Sequence, residues 1–306
     1  MITDAGVRAG SELSGVEWRQ TIARVHRQVD AGADHRWLDL DVPAPFSIPV
    51  PGQFLQLLLA PPAAVLLARP MSVATVAPHA HGCTVGFLYA PVGVGTRLLA
   101  ELSPGDPVEV LGPLGRGYPL EREGVPVLIA GGRGVAPLLF AAQALAHPGD
   151  GRAPRRCEFL FGARDAAHLI GLDLARREIE AVGGRLHLST DDGSAGTRGT
   201  VLDLLERVAP ELPGAPVIHA CGPHGMLKAV ARWALARRVP AYLAMESVMA
   251  CGTGVCRGCP LPRSAAQRAA FDPARTPSLW GNREYAMCCT EGPVFEAADL
   301  DWERIE

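Results

Sequence analysis

A run of three cysteines, with two more downstream, restricts the folds open to this chain more than any other feature. The run is Met249-Ala250-Cys251-Gly252-Thr253-Gly254-Val255-Cys256-Arg257-Gly258-Cys259, and the pair Cys288-Cys289 follows after a long gap. C-x4-C-x2-C plus one later cysteine is the spacing of a plant-type [2Fe–2S] site, where four thiolates hold two irons. Such a loop turns tightly and brings backbone N–H groups to the sulfurs, and its glycines tolerate positive φ. Other uses of thiols fit less well. A chain of 306 residues does not need disulfide staples. Four-cysteine zinc sites usually pair two short C-x2-C knuckles. Inert packing does not account for three cysteines in nine residues with glycines between them. The fourth ligand stays open between Cys288 and Cys289.

The chain is 48% hydrophobic and 20% charged, enough for two or three domains with sizeable cores. A net charge of -3 without a basic block points away from nucleic acid and from an anionic membrane. Apolar runs at 54–60 and 125–130 are strand-length, far short of a membrane span. Residues 1–15 carry no basic-then-apolar signal pattern, so a cytoplasmic protein is expected. Eight cysteines in that setting favour metal or redox use over disulfides.

Residues 1–16 read as a flexible tail. From Trp18 to about residue 120, short alternating or apolar segments (21–29, 37–42, 54–59, 71–76, 84–89, 108–111) are separated by prolines and turn signals. They predict a small antiparallel barrel over 17–120. The pattern changes near Glu121. Strands at 125–130, 157–161, 185–189, 217–221 and 241–245 alternate with helices at 135–147, 172–182, 200–208 and 224–237. This predicts a parallel sheet with helices on both faces over 121–245. The cysteine segment occupies 246–306.

Several weak motifs lie at informative places. Arg69-Pro70-Met71-Ser72 offers a guanidinium and a hydroxyl to one anion, or is a strand edge followed by a turn. Gly93-Val94-Gly95-Thr96 opens a short helix, as an anion site or as an ordinary cap. Leu111-Gly112-Pro113-Leu114-Gly115-Arg116-Gly117-Tyr118 is a glycine-laced turn that closes the barrel. Gly131-Gly132-Arg133-Gly134-Val135-Ala136-Pro137 joins a buried strand to a helix, the place for a nucleotide pyrophosphate, without being a G-x-G-x-x-G fingerprint. The next strand runs into Gly162-Ala163-Arg164 and not into a ribose-binding acid. Thr190-Asp191-Asp192-Gly193-Ser194 ends a strand, where acids accept ribose hydroxyls and repel a 2′-phosphate, favouring NAD over NADP. At Cys221-Gly222-Pro223 the thiol either faces a nicotinamide or is a small buried residue at a strand end.

In this order the motifs resemble the ferredoxin reductase superfamily, and within it the electron-transfer subunits of class 1B dihydroorotate dehydrogenase, over about residues 18–303. The closing Cys289-Thr290-Glu291-Gly292-Pro293-Val294-Phe295 is the most telling part, and it selects Cys289 as the fourth ligand. The resemblance implies that Arg69, Pro70, Met71 and Ser72 hold FAD, that Leu88, Tyr89 and Ala90 line it, and that Gly95 and Thr96 cradle its pyrophosphate. The turn with Gly132 and Gly134, Asp191, and the turn with Cys221 and Gly222 would receive NAD. Cys251, Cys256, Cys259 and Cys289 would bind the [2Fe–2S] cluster. The chain departs from the family in a longer gap from Cys259 to Cys289, whose insert at 260–285 is expected to loop out. It also has Ala90 where a basic residue often follows the tyrosine, and Met71 in place of an aromatic. The implied role is to pass electrons from the FMN of a separate dihydroorotate dehydrogenase catalytic subunit, in a heterotetramer, through the cluster and FAD to NAD+, in pyrimidine biosynthesis. The alternatives are a flavin/iron–sulfur reductase subunit serving a hydrogenase, a sulfur reductase or a ferredoxin:NADP system, and a non-catalytic zinc-binding regulator.

Overall fold

The computed structural model describes residues 18–59, 67–149, 151–277 and 279–305. The expected flexible tail lies outside them. The first half holds β1 (Arg19–Gly32), β2 (His35–Pro43), β3 (Phe54–Leu59), β4 (Arg69–Ser72), β5 (Thr75–His79), β6 (Gly82–Tyr89), α1 (Val94–Ala100) and β7 (Pro107–Leu114). These strands form an antiparallel sheet in the order β4-β3-β7-β1-β2-β6-β5. The edge strands β4 and β5 are separated in sequence only by Val73 and Ala74, so the sheet must curl on itself. The Ala74 N–H donates to the Gly86 carbonyl of β6 at 2.8 Å. The expected barrel is thus a half-barrel closed by two residues of chain. Alternate residues such as Ala23, Val25, Leu38, Leu40 and Phe87 fill its interior.

The second half continues with β8 (Val125–Gly131), α2 (Val135–Ala146), β9 (Glu158–Ala163), α3 (Leu172–Ala181), β10 (Arg185–Thr190), β11 (Thr197–Arg198), α4 (Val201–Val208), β12 (Pro216–Cys221), α5 (His224–Arg237) and β13 (Ala241–Ala244). The cysteine segment adds β14 (Pro260–Pro262), α6 (Ala265–Ala270), β15 (Tyr285–Met287), α7 (Cys288–Glu291) and β16 (Val294–Glu296). The sheet order is β11-β10-β9-β8-β12-β13-β16, parallel except that β16 runs antiparallel to β13. Both faces of β8 are covered, which is why its sequence is continuously apolar. Leu128 and Ala130 pack with α2 and α3, while Val127 and Ile129 pack with α4 and α5. From β8 the chain winds to β9 on one side and later to β12 on the other. A crevice therefore opens at the carboxyl ends of β8 and β12.

The insert corrects the expectation of a loop thrown outward. β14 and β15 form an antiparallel ladder, Ser264 caps α6, and Arg263 makes a buried ion pair with Glu291. Its arginine richness suggested solvent, but Arg263 finds its carboxylate across the segment, where burial and pairing go together.

Candidate functional site

A cleft of about 1120 Å³ lies between the β1–β2 hairpin and the carboxyl edge of the parallel sheet. The turns after β8, β9 and β10 supply Gly132, Arg133, Arg164 and Asp191 to its wall, and the hairpin supplies His35 and Arg36. Arg36 is tied to Asp30 at 3.2 Å. Burial holds His35 below its ordinary value; the Ala33 carbonyl at 2.6 Å opposes this, and Arg133 and His168 reinforce it. His168 is fixed to Asp165 at 2.6 Å. The wall thus carries Arg133 and Arg164 from the sheet turns, with Asp191 just past the end of β10 and Asp30 and Asp34 on the hairpin side. This suits a ligand with phosphates at one end and hydroxyls at the other.

Backbone contact joins two of the sequence motifs. A Cβ on Gly134 would stand 2.2 Å from the Cys221 carbonyl oxygen and 2.5 Å from the Gly222 nitrogen, so only glycine lets the two turns close. Cys221 itself is buried behind them and does not line the cleft, and burial pushes its thiol far up. Asp192 points elsewhere, held by the Ser194 hydroxyl at 2.6 Å, which lowers its carboxyl.

On the half-barrel, Arg69 crosses Gly95 so closely that a Cβ there would lie 2.0 Å from Nε. The Gly93 N–H donates to Thr96 Oγ1 at 3.0 Å. Leu88 and Met71 are buried, and Pro70 pairs with Gln56 across the ladder. The Tyr89 hydroxyl donates to Gln28 Oε1 at 2.7 Å, and burial raises it. Of the expected nucleotide residues, Ala90, Gly132 and Asp191 line the cleft; Arg69, Ser72, Gly95 and Thr96 do not, and of these Arg69 and Gly95 are brought together. Sequence reading placed Arg133 only within the turn that would receive NAD, and gave no cleft role to His35, Arg36, Arg164 or His168. The position of Arg133 and Arg164 just beyond parallel strands was a usable signal for those two.

The thiols divide into two sets. Cys259 and Cys289 are buried with sulfurs 3.3 Å apart. The hydrogen bond between the two thiols lowers Cys259 and raises Cys289. Cys251 is half-buried and Cys256 exposed. Burial would raise the Cys251 thiol, but N–H groups of Cys256 at 3.5 Å and Thr253 at 3.4 Å bring it to about 7. Cys288 turns away, its sulfur 3.6 Å from the Met245 carbonyl, and burial pushes it up. Among the described residues, no three of His, Cys, Asp or Glu converge as a ready cation cage. The donor set still fits an iron–sulfur cluster: one thiol pair at ligand-sharing distance, N–H groups aimed at a third sulfur, and positive φ at Gly252 (+74°) and Gly254 (+83°). No helix among the described residues is long and apolar enough to cross a membrane.

Residues 128–232 match the family model described as an oxidoreductase NAD-binding domain. The electron transfer subunit of dihydroorotate dehydrogenase B (NAD(+)) from Geobacillus kaustophilus is 36% identical over 253 residues, 82% of this chain and 86% of that one. Its counterpart from Desulforamulus reducens is 33% identical over 271 residues, 87% and 92% of the two chains. Among solved structures, an NADH-dependent reduced ferredoxin-NADP oxidoreductase of flavin-based electron bifurcation superposes with a TM-score of 0.72 at 26% identity, covering 92% of this chain and 91% of that one. The FAD/NAD-binding domain of nitric oxide dioxygenase from Vibrio cholerae gives 0.60 at 22% identity over 71% and 93% of the two chains, which supports the fold. By sequence over most of its length, and by a half-barrel joined to a parallel nucleotide sheet, the chain belongs to the family of dihydroorotate dehydrogenase B electron transfer subunits.

Proposed function

We propose that this chain is an oxidoreductase component working in the cytoplasm, the electron transfer subunit of an NAD-linked dihydroorotate dehydrogenase in pyrimidine biosynthesis. It carries electrons from the FMN of a separate catalytic subunit, by way of a [2Fe–2S] cluster and FAD, to NAD+, within a heterotetramer. One observation carries this reading: a nucleotide-sized cleft opens at the edge of the parallel sheet, and a thiol pair at 3.3 Å packs in the core of the same sheet. FAD, when bound, supplies the conversion between hydride and single electrons. The chain binds and orients. We assign Arg69, Pro70, Met71, Ser72, Leu88, Tyr89, Ala90, Gly95 and Thr96 to FAD, supported by the closeness of Arg69 to Gly95. Gly132 and Asp191 face NAD, with Arg133 and Arg164 offering charge to its phosphates; Gly134, Cys221 and Gly222 shape the turn from behind. Cys251, Cys256, Cys259 and Cys289 are the cluster ligands, and Cys288 is not. The domains are assigned as 17–120, 121–245 and 246–306.

The solved ferredoxin-NADP reductase aligned over most of the chain favours one second reading, a subunit of a related NAD(P)H-dependent flavin/iron–sulfur reductase. The zinc-binding regulator is set aside, because relatives over most of the length are oxidoreductase subunits. The test is anaerobic purification, an absorption spectrum, and titration with NADH and dithionite. Flavin bands bleached by NADH and a reduced [2Fe–2S] EPR signal are expected. Reconstitution with a dihydroorotate-oxidising subunit then separates the two enzyme readings. A colourless protein with stoichiometric zinc, even after incubation with iron, sulfide and FAD, would sink both.

A further inference from the structure

The insert reaches both cysteine-bearing parts of its segment. The Leu279 carbonyl accepts from Thr290 Oγ1 at 3.1 Å, one residue past Cys289. The same carbonyl lies where a Cβ on Gly254 would come within 2.2 Å, so it presses on the loop between Cys251 and Cys256. The Trp280 carbonyl accepts from Arg257 Nη1 at 2.6 Å, between Cys256 and Cys259. On its other side, the Trp280 ring lies 4.5 Å under the Arg116 guanidinium of the half-barrel turn. The Gly281 N–H donates to Glu291 Oε1 at 2.8 Å, and the Asn282 carbonyl accepts from Arg263 Nε at 2.8 Å. Five contacts therefore tie three consecutive residues, 279–281, to the loop bearing Cys251 and Cys256, to the turn bearing Cys289, and to the half-barrel, and a sixth ties Asn282 to Arg263.

We propose that residues 279–285 are a strap that positions the half-buried Cys251 and the exposed Cys256 against the buried pair Cys259 and Cys289, with Arg257 and Thr290 as its positioning residues. The proposal rests on the iron–sulfur reading above. Cys259 and Cys289 need no such help, since the sheet and its core already hold them. The loop from Cys251 to Cys256 has little apolar burial of its own, and Val255 is 70% exposed. Its geometry comes from side-chain and carbonyl contacts to the strap.

The test uses the full chain, loaded with cluster and FAD, in three forms: Arg257→Met, Thr290→Val and Arg257→Lys. Flavin content and reduction of the flavin by NADH report that each is folded. Arg257→Met and Thr290→Val are expected to lose iron to a chelator about tenfold faster than the wild type, the effect of one charge-assisted or buried hydrogen bond. The EPR g-values of the reduced cluster should shift in Arg257→Met and return toward wild type in Arg257→Lys, which keeps a cationic donor. Wild-type release rates and spectra in both disruptive variants overturn the strap. Faster release with an unchanged spectrum assigns only a general structural role and also overturns it. A wild-type protein without iron and sulfide instead removes the reading on which it rests, a result distinguishable from either.

Discussion

The parallel sheet and the cysteine segment hold their chemical groups by different means. At the sheet, backbone places the groups: ladders fix where β8, β9 and β10 end, and Gly134 seats against Cys221 with no room for a methyl group. In the cysteine segment, side chains do this. Arg263 and Glu291, with side chains 10% and 5% exposed, are paired inside it, and two backbone N–H groups, of Gly281 and Met287, also reach the Glu291 carboxylate. A backbone-built site tolerates most side-chain changes and fails at glycines. A side-chain-built site fails at its polar hubs.

The largest effect expected is at the thiols. Cys289→Ser should abolish iron and sulfide content, whereas Cys288→Ser should leave it near wild type, because the Cys288 sulfur faces the Met245 carbonyl. Equal losses on metal analysis would break the division into a ligand and a buried neighbour. Next, Arg263→Met leaves Glu291 buried without its cation and should cost about 3–5 kcal/mol, read as a lower urea midpoint. A midpoint within error of wild type would mean that the segment does not depend on its polar hub.

On the backbone-built side, Gly134→Ala forces a methyl group into the Cys221 peptide and should cost about 3 kcal/mol and weaken NADH binding in a fluorescence titration. Gly225→Ala, where a Cβ meets nothing within 4 Å, is the control and should be neutral or slightly stabilising. If the two behave alike, the close seat of the turns does not matter.

The smallest effect concerns the seam between the halves. His219 stacks on Tyr118 at 5.5 Å and meets the edge of Tyr242 at 5.8 Å. Neither ring nitrogen has a hydrogen-bond partner. Burial, and then the charge of Arg155, push it down to about 3. The folded chain keeps this ring neutral, while the unfolded chain protonates it near the ordinary histidine value. Stability is therefore whole above about pH 6.5 and is lost as pH falls from there toward 3. Between pH 7.5 and 5 the loss should be about 2 kcal/mol from this group. His219→Phe should flatten that part of the urea-midpoint profile, and an unchanged slope would rule out His219 as its source.

Legibility in the sequence followed the same division. β8 read clearly because a strand covered on both faces is apolar throughout. β11 and β16, of two and three residues, are too short to carry a period. His35 and Arg36 reach the cleft from the other half of the molecule, and no local pattern marks such a contact. Adjacent residues on a helical turn point about 100° apart. This is how α7 sends the Cys288 and Cys289 sulfurs to different partners, and spacing alone could not tell them apart. The insert misled because composition reports average polarity, whereas Arg263 is buried by one specific partner.

The position of β16 also bears on how the protein is made. Cys289 sits on the turn just before β16, which pairs with β13. The thiol pair therefore forms only after residue 289 has left the ribosome. Iron and sulfide delivery to the pair then follows the synthesis of residue 289. A nascent chain stalled before residue 289 would carry Cys251, Cys256 and Cys259 as loose thiols, open to oxidation or to capture by whichever thiophilic metal arrives first.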